Sequence, residues 1–311
     1  MNNKNLAPII VFTYNRPSYT VETIEHLKNN FLAPNSDLFI YSDAPKNPID
    51  AKKVQDVRSY IKTINGFKSV TIIEREENLG LRNSVLDGVT RIVKKYGKVI
   101  VLEDDLITGP YFLDFINDGL DMYKNDMNVC QIMGYSFIEK YKEKHKLNDT
   151  YFVKNIGSLG WGVWDRSWSV YEHDTELLLQ ELINKDLVLK LNRGGAYDFF
   201  KILKDQINRD VDAWAINWYV STFLNNMYTL HPSKSFVRHI GNDASGTHYQ
   251  RDPKYDPLNV PVTNKNIVVN RQKIVELEGT RKAYIKYLKS YRLPISVRIV
   301  NRIIRYLGKF N

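Results

Sequence analysis

A short apolar run that ends abruptly in three carboxylates constrains the fold of this chain most strongly. Residues 99–102 are all Val, Ile or Leu, and Glu103, Asp104 and Asp105 follow at once. A continuous apolar run of this length is typical of a strand that is buried on both faces, as in a parallel sheet. Open α/β sheets bind their ligands at the carboxyl ends of such strands. We therefore predict an acidic ligand site at one edge of a sheet.

The three carboxylates need a partner, because clustered negative charges are costly unless something positive joins them. A divalent cation that carries a diphosphate meets this need, since Mg²⁺ and Mn²⁺ bind carboxylate and phosphate oxygens together. A solvated acidic turn, with Asp104 or Asp105 capping the next helix, is the alternative. The motif by itself leaves both interpretations open.

Strand and helix patterns alternate through residues 7–135, with short connections between them. This alternation predicts a mostly parallel sheet with helices on both faces. The predicted strands are residues 7–13, 38–41, 70–73, 99–102 and 128–135, and the predicted helices are residues 17–28, 51–64, 81–96 and 111–123. Arg16, Asp43 and the acidic triplet follow three of the first four strands, so we expect them to meet at one sheet edge. This convergence favours the metal–diphosphate interpretation.

The alternation breaks down in residues 151–246, which are rich in Trp, Gly and Asn. Residues 157–168 read Gly-Ser-Leu-Gly-Trp-Gly-Val-Trp-Asp-Arg-Ser-Trp. Flat aromatic faces beside close-approaching backbone suit a wall for a sugar ring, and a tightly packed loop over the sheet explains the pattern equally well. Residues 213–233 carry no formal charge. Their Asn, His and Pro residues indicate a buried helix and strand rather than a membrane span.

The excess positive charge is confined to the end of the chain. Residues 271–311 contain 11 Lys or Arg and 2 Asp or Glu, so residues 1–270 are neutral, with 33 of each sign. This distribution argues against a nucleic-acid-binding core. The one cysteine, Cys130, excludes an internal disulfide and fits a reducing compartment. No cleavable apolar segment precedes the first strand, so we expect no signal peptide.

Within the basic tail, residues 295–310 have the pattern of an amphipathic helix. Arg298, Arg302, Arg305 and Lys309 share one helical face, and aliphatic residues lie opposite. Apolar burial and attraction to anionic lipid would together hold such a helix on a membrane surface. A helix docked on its own domain is the alternative, and the confinement of charge to the tail favours the membrane.

The order of these motifs resembles the GT-A glycosyltransferases, most closely the N-acetylglucosaminyltransferase I-like group. The resemblance spans about residues 7–250. It rests on Leu-Glu-Asp-Asp-Leu at 102–106, which matches the group's form of the Asp-x-Asp motif, on Leu-Gly-Trp at 159–161, and on Asp-Ala-Trp at 212–214. It implies an α/β fold of GT-A type, with a Rossmann-like, mostly parallel sheet flanked by helices and followed by the amphipathic tail.

The resemblance assigns roles to the residues at the predicted sheet edge. It implies that Asp105 binds the metal, Mn²⁺ or Mg²⁺, and that Glu103 and Asp104 lie near the ribose and the hydration shell of the metal. It further implies that Arg16 holds the nucleotide and that Asp43 hydrogen-bonds the uracil.

The sugar side of the site is assigned in the same way. The resemblance implies that Trp161 lines the sugar pocket, and we expect Arg82 and Asn83 to take part in the choice of donor. His239 or His248 falls in the segment with which the family closes its donor site.

The catalytic base is the remaining assignment. Asp212 falls near the family's Trp-Asp-Asp-Trp motif, but this chain lacks the first Trp-Asp pair, so Asp210 and Asp165 compete for the role. Asp212 as a simple helix N-cap before residues 213–224 is the alternative to a catalytic role.

These expectations define an inverting, metal-dependent hexosyl- or N-acetylhexosaminyltransferase. It would move a sugar from a UDP donor to a saccharide hydroxyl, with a lipid-linked glycan for surface polysaccharide as the acceptor, peripherally on the cytoplasmic face of the cell membrane. Residues 1–136 would form the nucleotide-sugar-binding half and residues 137–270 the acceptor-binding half of one domain, with 271–311 as the tail. A sugar nucleotidyltransferase, a non-catalytic nucleotide-sugar-binding homologue and a peripheral membrane scaffold are the alternatives.

Overall fold

The computed structural model describes residues 5–145, 148–208, 212–241 and 260–290. The strands are β1 (Ile9–Thr13), β2 (Asp37–Ser42), β3 (Ser69–Glu74), β4 (Lys98–Glu103), β5 (Leu106–Thr108), β6 (Val129–Met133), β7 (Thr150–Val153), β8 (Trp161–Trp164), β9 (Tyr228–Pro232) and β10 (Val237–His239). The helices are α1 (Pro17–Lys28), α2 (Pro48–Ile61), α3 (Gly80–Tyr96), α4 (Phe112–Met122), α5 (Lys142–His145), α6 (Asp165–Trp168), α7 (Thr175–Asn184), α8 (Val188–Leu191), α9 (Phe199–Ile207), α10 (Trp214–Leu224) and α11 (Glu278–Ser290).

An eight-stranded mixed sheet forms the centre of the domain, in the order β3-β2-β1-β4-β8-β6-β9-β7. Strands β1 to β4 run parallel, and β8 and β7 are antiparallel to their neighbours in the sheet. Strand β10 pairs antiparallel with β5 in a separate two-stranded sheet. The predicted α/β fold with a mostly parallel sheet is therefore confirmed.

The first four strands end together at one edge of the sheet. Thr13 at the end of β1 pairs with Ser42 at the end of β2, and Ser42 in turn pairs with Glu74 of β3. On its other side β1 pairs with β4, where Phe12 lies opposite Glu103. The residues that follow these strands are therefore close in space, as the sequence predicts.

Both faces of the central strands are buried. Ile9 and Val11 pack in one cluster with α1, α2 and α4, whereas Ile10 and Phe12 pack in another with α3 and the tryptophan-rich segment. This two-sided burial explains why the strands appear in the sequence as continuous apolar runs rather than alternating ones.

The uncharged segment at 213–233 forms α10 and β9, as predicted. Burial on nearly every face of α10 explains its lack of charge. In the part of the chain that the structure describes, no helix has both the length and the apolar character needed to cross a bilayer.

Residues 260–290 cross the domain and pack against it. Arg271 forms an ion pair with Asp126, at 2.7 Å between Nη1 and Oδ2. Glu276 pairs with Arg193 at 2.8 Å, and the two side chains are 10% and 9% exposed. Helix α11 packs its apolar residues onto β7. The amphipathic helix predicted at 295–310 lies outside the described residues.

Candidate active site

The acidic triplet lies at the carboxyl end of β4. Glu103 is the last residue of the strand, and Asp104 and Asp105 form the turn into β5. Both aspartates are buried, with 9% of their surface exposed. Because a strand follows the turn, these residues do not cap a helix, and the capping alternative is wrong. We call Glu103, Asp104 and Asp105 the acidic turn.

Side chains and backbone from two other elements fix the acidic turn. Thr23 of α1 donates its hydroxyl to the Asp104 carbonyl at 2.9 Å and accepts the Leu106 N–H at 3.2 Å. The Tyr14 N–H, in the loop after β1, donates to Asp104 Oδ2 at 3.2 Å. Thr23 is not predictable from the sequence, because nothing in a helical threonine marks it as a partner of a turn 81 residues away.

Two distant parts of the chain meet on one side-chain oxygen of Asp105. Arg16 Nη1 lies 2.8 Å from Asp105 Oδ2, and His239 Nε2 lies 3.2 Å from the same atom. The Ile240 N–H donates to the Asp105 carbonyl at 2.9 Å, which continues the pairing of β10 with β5. The structure thus brings together the predicted Arg16 and Asp105, and it places His239 beside them. His248 lies outside the described residues.

Gly241 allows this close approach. A Cβ atom at this position would lie 2.3 Å from Asp105 Oδ2 and 2.7 Å from Arg16 Nη1. Real Cβ contacts are not this short, so any other residue at this position would force the Asp105 carboxylate or the Arg16 guanidinium to move. Sequence reasoning did not find Gly241, because the requirement arises from the approach of a segment that is remote in the chain.

The acidic turn is electrostatically asymmetric. Burial raises the pKa of Glu103 and of Asp104, and repulsion from Asp105 raises both further. Burial acts to raise the pKa of Asp105 as well, but the hydrogen bonds and charges of His239 and Arg16 outweigh it and lower that pKa. Asp105 is therefore the carboxylate that most readily stays ionised.

The acidic turn could hold a metal ion only if ligands from outside the protein completed its coordination. Among the residues with described positions, no group of three or more His, Cys, Asp or Glu side chains is arranged to hold a metal. Asp105 offers a carboxylate, the kind of ligand that suits Mn²⁺ and Mg²⁺, and His239 adds an imidazole beside it. Phosphate oxygens and water would supply the remaining positions, as they do in many Mg²⁺ and Mn²⁺ sites.

Asp43 lies at the same edge but is already engaged with the backbone. Its Oδ1 accepts the N–H groups of Leu79 and Ala44 at 2.9 and 3.0 Å, and its Oδ2 accepts the Gly80 N–H at 2.9 Å. Leu79 and Gly80 begin α3. Asp43 therefore fixes the start of α3, a role that the sequence analysis did not foresee.

The loop after β1 has an anchor that the sequence analysis also missed. Asp50 of α2 accepts the Asn15 amide at 2.7 Å and the Tyr14 hydroxyl at 3.0 Å. These contacts hold the loop that carries Arg16. In the sequence Asp50 lies just before the predicted helix 51–64, where an acidic residue is ordinary, so it gives no signal of this contact.

Asp212 and Arg82 form a second polar contact at this edge. Arg82 lies in the first turn of α3, and its Nη1 is 3.4 Å from Asp212 Oδ1. The Asp212 side chain is 71% exposed. Ala213, not Asp212, is the N-cap of α10, and no side chain caps this helix. The N-cap alternative for Asp212 is therefore wrong, and its carboxylate faces solvent.

The competing base candidates differ in position. The Asp165 N–H donates to the Gly97 carbonyl, just before β4 begins. This is the opposite edge of the sheet, a full strand length of about 16 Å from the acidic turn. Asp165 therefore cannot act at this site. Asp210 lies outside the described residues.

Trp161 is a core residue rather than an open wall. It is completely buried in β8, and its ring stacks on Trp214 with centroids 5.3 Å apart. Burial thus argues against direct contact with a sugar, and the packed alternative describes this tryptophan better. Because Trp214 begins α10, the stack supports the helix that directly follows Asp212.

Solved glycosyltransferase structures show distant similarity. A mannosyltransferase from Pyrobaculum calidifontis, in complex with GDP-Man and Mn²⁺, is 10% identical and matches 70% of this chain and 69% of its own, with a TM-score of 0.39. Residues 1–349 of S. aureus TarS are 11% identical and match 74% of this chain and 59% of their own, with a TM-score of 0.39. Mouse xyloside xylosyltransferase 1 is 7% identical and matches 70% of this chain and 80% of its own, with a TM-score of 0.38. In another structure of S. aureus TarS, the match, at 15% identity with a TM-score of 0.30, covers 41% of this chain and 21% of that one. No curated protein matches the sequence.

The sequence itself carries the family assignment. Residues 9–185 match the model of Glycosyl transferase family 2. This span is more than half of the 311 residues, and it runs from β1 through α7. It includes the acidic turn, Arg16, Asp43 and Arg82. The chain therefore belongs to glycosyl transferase family 2 and has a GT-A fold.

Proposed function

We propose that the protein is a metal-dependent, inverting glycosyltransferase that moves a sugar from a UDP donor to a saccharide hydroxyl, as in the N-acetylglucosaminyltransferase I-like group. The convergence of Arg16 and His239 on one oxygen of Asp105 carries this proposal. It gathers a carboxylate, an imidazole and a guanidinium at the strand ends where an α/β sheet binds its ligand.

In this proposal Asp105 and His239 hold Mn²⁺ or Mg²⁺. When bound, the ion stabilises the negative charge that develops on the departing diphosphate. The lowered pKa of Asp105 supports the assignment, because a metal ligand must be deprotonated. Arg16 contributes a fixed positive charge beside the phosphates. Glu103 and Asp104 lie beside Asp105 and bind near the ribose and the hydration shell of the metal.

Asp212 is the proposed base. As the acceptor oxygen forms its bond to the anomeric carbon, the bond from that carbon to the diphosphate breaks, and the acceptor proton passes to Asp212. A single displacement of this kind inverts the anomeric centre. The solvent-exposed carboxylate, with Arg82 beside it at 3.4 Å, supports the role. Arg82 also contributes to donor binding.

The remaining parts of the proposal are the recognition of uracil and the identity of the acceptor. Asp43 lies on the uracil side, where its fixed position at the end of β2 supports recognition of a planar base. The acceptor is a lipid-linked glycan in surface polysaccharide synthesis, and the basic tail holds the enzyme on an anionic membrane at the cytoplasmic face.

Calorimetry of UDP binding with and without Mn²⁺ tests the proposal. We expect tight binding only with Mn²⁺, and its loss in Asp105→Ala while the melting temperature is retained. Asp121→Ala, which removes an exposed carboxylate on α4, is the matched control and should bind as wild type does. Preference for GDP would overturn the UDP donor. Absence of binding by every nucleotide would favour a non-catalytic homologue.

A further inference from the structure

Arg58 of α2 reaches the ends of two strands at the candidate active site. Its Nη2 donates to the carbonyl of Arg75 at 2.7 Å and to the carbonyls of Ser42 and Asp43 at 3.4 Å each. Its Nε lies 3.4 Å from the Ser42 hydroxyl. The side chain is 17% exposed. One guanidinium therefore bridges the ends of β2 and β3.

The chemistry of a sheet edge explains what an arginine contributes here. The Arg75 N–H already donates to the Ser42 carbonyl at 2.9 Å, and Arg58 adds donors to the carbonyls of Arg75 and Asp43, just past the ends of the two strands. A guanidinium presents several N–H groups in a fixed plane, so it can serve several carbonyls at once. Glu74 Oε2 lies 3.6 Å from Arg58 Nη1 and balances the charge.

The contacts continue from Arg58 into the site. Arg58 binds the carbonyl of Asp43, and the carboxylate of Asp43 binds the N–H groups of Leu79 and Gly80. Asn78 adds a second link through the Ala44 carbonyl, at 2.7 Å. The start of α3 is thus tied to the end of β2 by contacts that all depend on where the Asp43 segment lies.

We infer that Arg58 is a positioning residue for the part of the donor site that binds the nucleobase. It does not touch the donor. It holds the backbone of Asp43, so that the carboxylate stays at the start of α3 and Arg82, in the first turn of that helix, keeps its place. The inference rests on the proposed function, because it assumes that the nucleotide binds beside Asp43.

Three variants test this role. Arg58→Met keeps the apolar stem and removes all donors. Arg58→Lys keeps the positive charge beside Glu74, but its single ammonium group cannot reproduce the planar set of N–H donors of the guanidinium. Lys52→Met is the control, because Lys52 is on the same helix, is 80% exposed and pairs with Asp56 away from the site.

Two measurements should separate positioning from general stability. With Mn²⁺ present, we expect Arg58→Met to weaken UDP binding about tenfold and Arg58→Lys about threefold, with Mn²⁺ affinity unchanged. We also expect faster hydrogen exchange of the Leu79 and Gly80 amides in Arg58→Met, with the β6 and β9 amides unaffected. Lys52→Met should match wild type in both measurements.

Wild-type exchange at Leu79 and Gly80 in both Arg58 variants would overturn the inference, as would UDP binding equal to wild type. Uniformly faster exchange throughout the domain would also overturn it, since the role would then be general stability. If Arg58→Met does not fold, Arg58→Lys decides the same comparison. Failure of the wild type to bind UDP would overturn the proposed donor, and the exchange data would then decide separately whether Arg58 holds Asp43.

Discussion

The acidic turn and the Arg82–Asp212 pair lie at the same edge of the sheet but are held in different ways. Asp105 is buried and contacts Arg16, His239 and the backbone of Ile240. Asp212 is 71% exposed and lies 3.4 Å from Arg82. An ion pair this exposed contributes little to stability, whereas buried and shared contacts fix a group in place. The acidic turn is thus organised before any ligand binds, whereas the Arg82–Asp212 pair remains open to solvent.

The largest expected effect on activity comes from Asp212, in the solvent-exposed Arg82–Asp212 pair. We predict that Asp212→Asn lowers the rate of sugar transfer about a thousandfold, within the range for loss of a general base. UDP–Mn²⁺ binding should stay within about twofold of wild type, because Asp212 makes none of the buried contacts of the acidic turn. Initial rates of UDP release from a panel of UDP-sugars, with lipid-linked saccharides as acceptors, provide the measurement. A fall in both the transfer rate and the UDP–Mn²⁺ affinity would show that Asp212 and the acidic turn are not independent.

The second-largest effect is expected at the acidic turn. Gly241→Ala should reduce Mn²⁺-dependent UDP binding about a hundredfold, because the new Cβ would lie 2.3 Å from Asp105 Oδ2. Gly194→Ala is the control. Its φ of +65° makes alanine strained, but nothing lies within 4 Å of the added atom, so it should cost about 1 kcal/mol of stability without affecting binding. Equal binding by the two variants would contradict the tight packing at Asp105.

A smaller effect is expected from the support of the Arg16 loop. Asp50→Ala removes the acceptor of the Tyr14 hydroxyl and the Asn15 amide. We predict about fivefold weaker UDP–Mn²⁺ binding, since Arg16 itself remains. Asp56→Ala on the same helix, whose side chain pairs with Lys52, should have no effect. An unchanged affinity in Asp50→Ala would mean that the loop keeps its position without this anchor.

The smallest effect on activity is expected from a buried histidine outside both regions. Burial lowers the pKa of His231 to about 4, although a hydrogen bond to the Tyr135 carbonyl opposes the shift. Its pKa is higher in the unfolded chain, so the unfolded state binds the proton first as the pH falls, and the native state loses stability. Between pH 7 and pH 5 the loss should be about 2 kcal/mol. Urea unfolding of wild type and His231→Gln measures it.

The variant gives the contrast for that experiment. His231→Gln should lose this part of the pH dependence, whatever its stability at pH 7. Identical pH dependence in the two proteins would show that His231 is not the titrating group. Activity at pH 7 should be close to wild type in both, because His231 does not contact the acidic turn or the Arg82–Asp212 pair in the described structure.

The sequence predicts features that depend on local pattern. Continuous apolar runs and helical periodicity identify β1 to β4, β6 and the four helices up to residue 135, because the central strands β1 and β4 are buried on both faces and the helices mainly on one. The short strand β5 was not predicted, and β3 lies at the exposed edge of the sheet. The parallel order of the first strands then places Arg16 beside Asp105. Both residues belong to strand ends whose position the alternation of strands and helices already determines.

Features that depend on distant partners are not predictable in this way. Strand β8 enters the sheet between β4 and β6, and this buries Trp161, which the sequence analysis assigned to the sugar pocket. The contacts of Asp43 with the start of α3 and the closeness of Gly241 to Asp105 likewise arise only after remote segments pack. A residue type that suits a ligand also suits a structural contact, and the sequence does not distinguish the two.

The buried pair of Arg193 and Glu276 has a consequence for synthesis on the ribosome. The two residues are 83 positions apart, and a buried charge without its partner is strongly destabilising. The growing chain therefore holds an unmatched guanidinium until the segment with Glu276 leaves the exit tunnel. Helix α11, which covers β7, emerges later still. Because domains tend to fold as units during translation, we expect this one to close only after residues 260–290 have emerged from the ribosome.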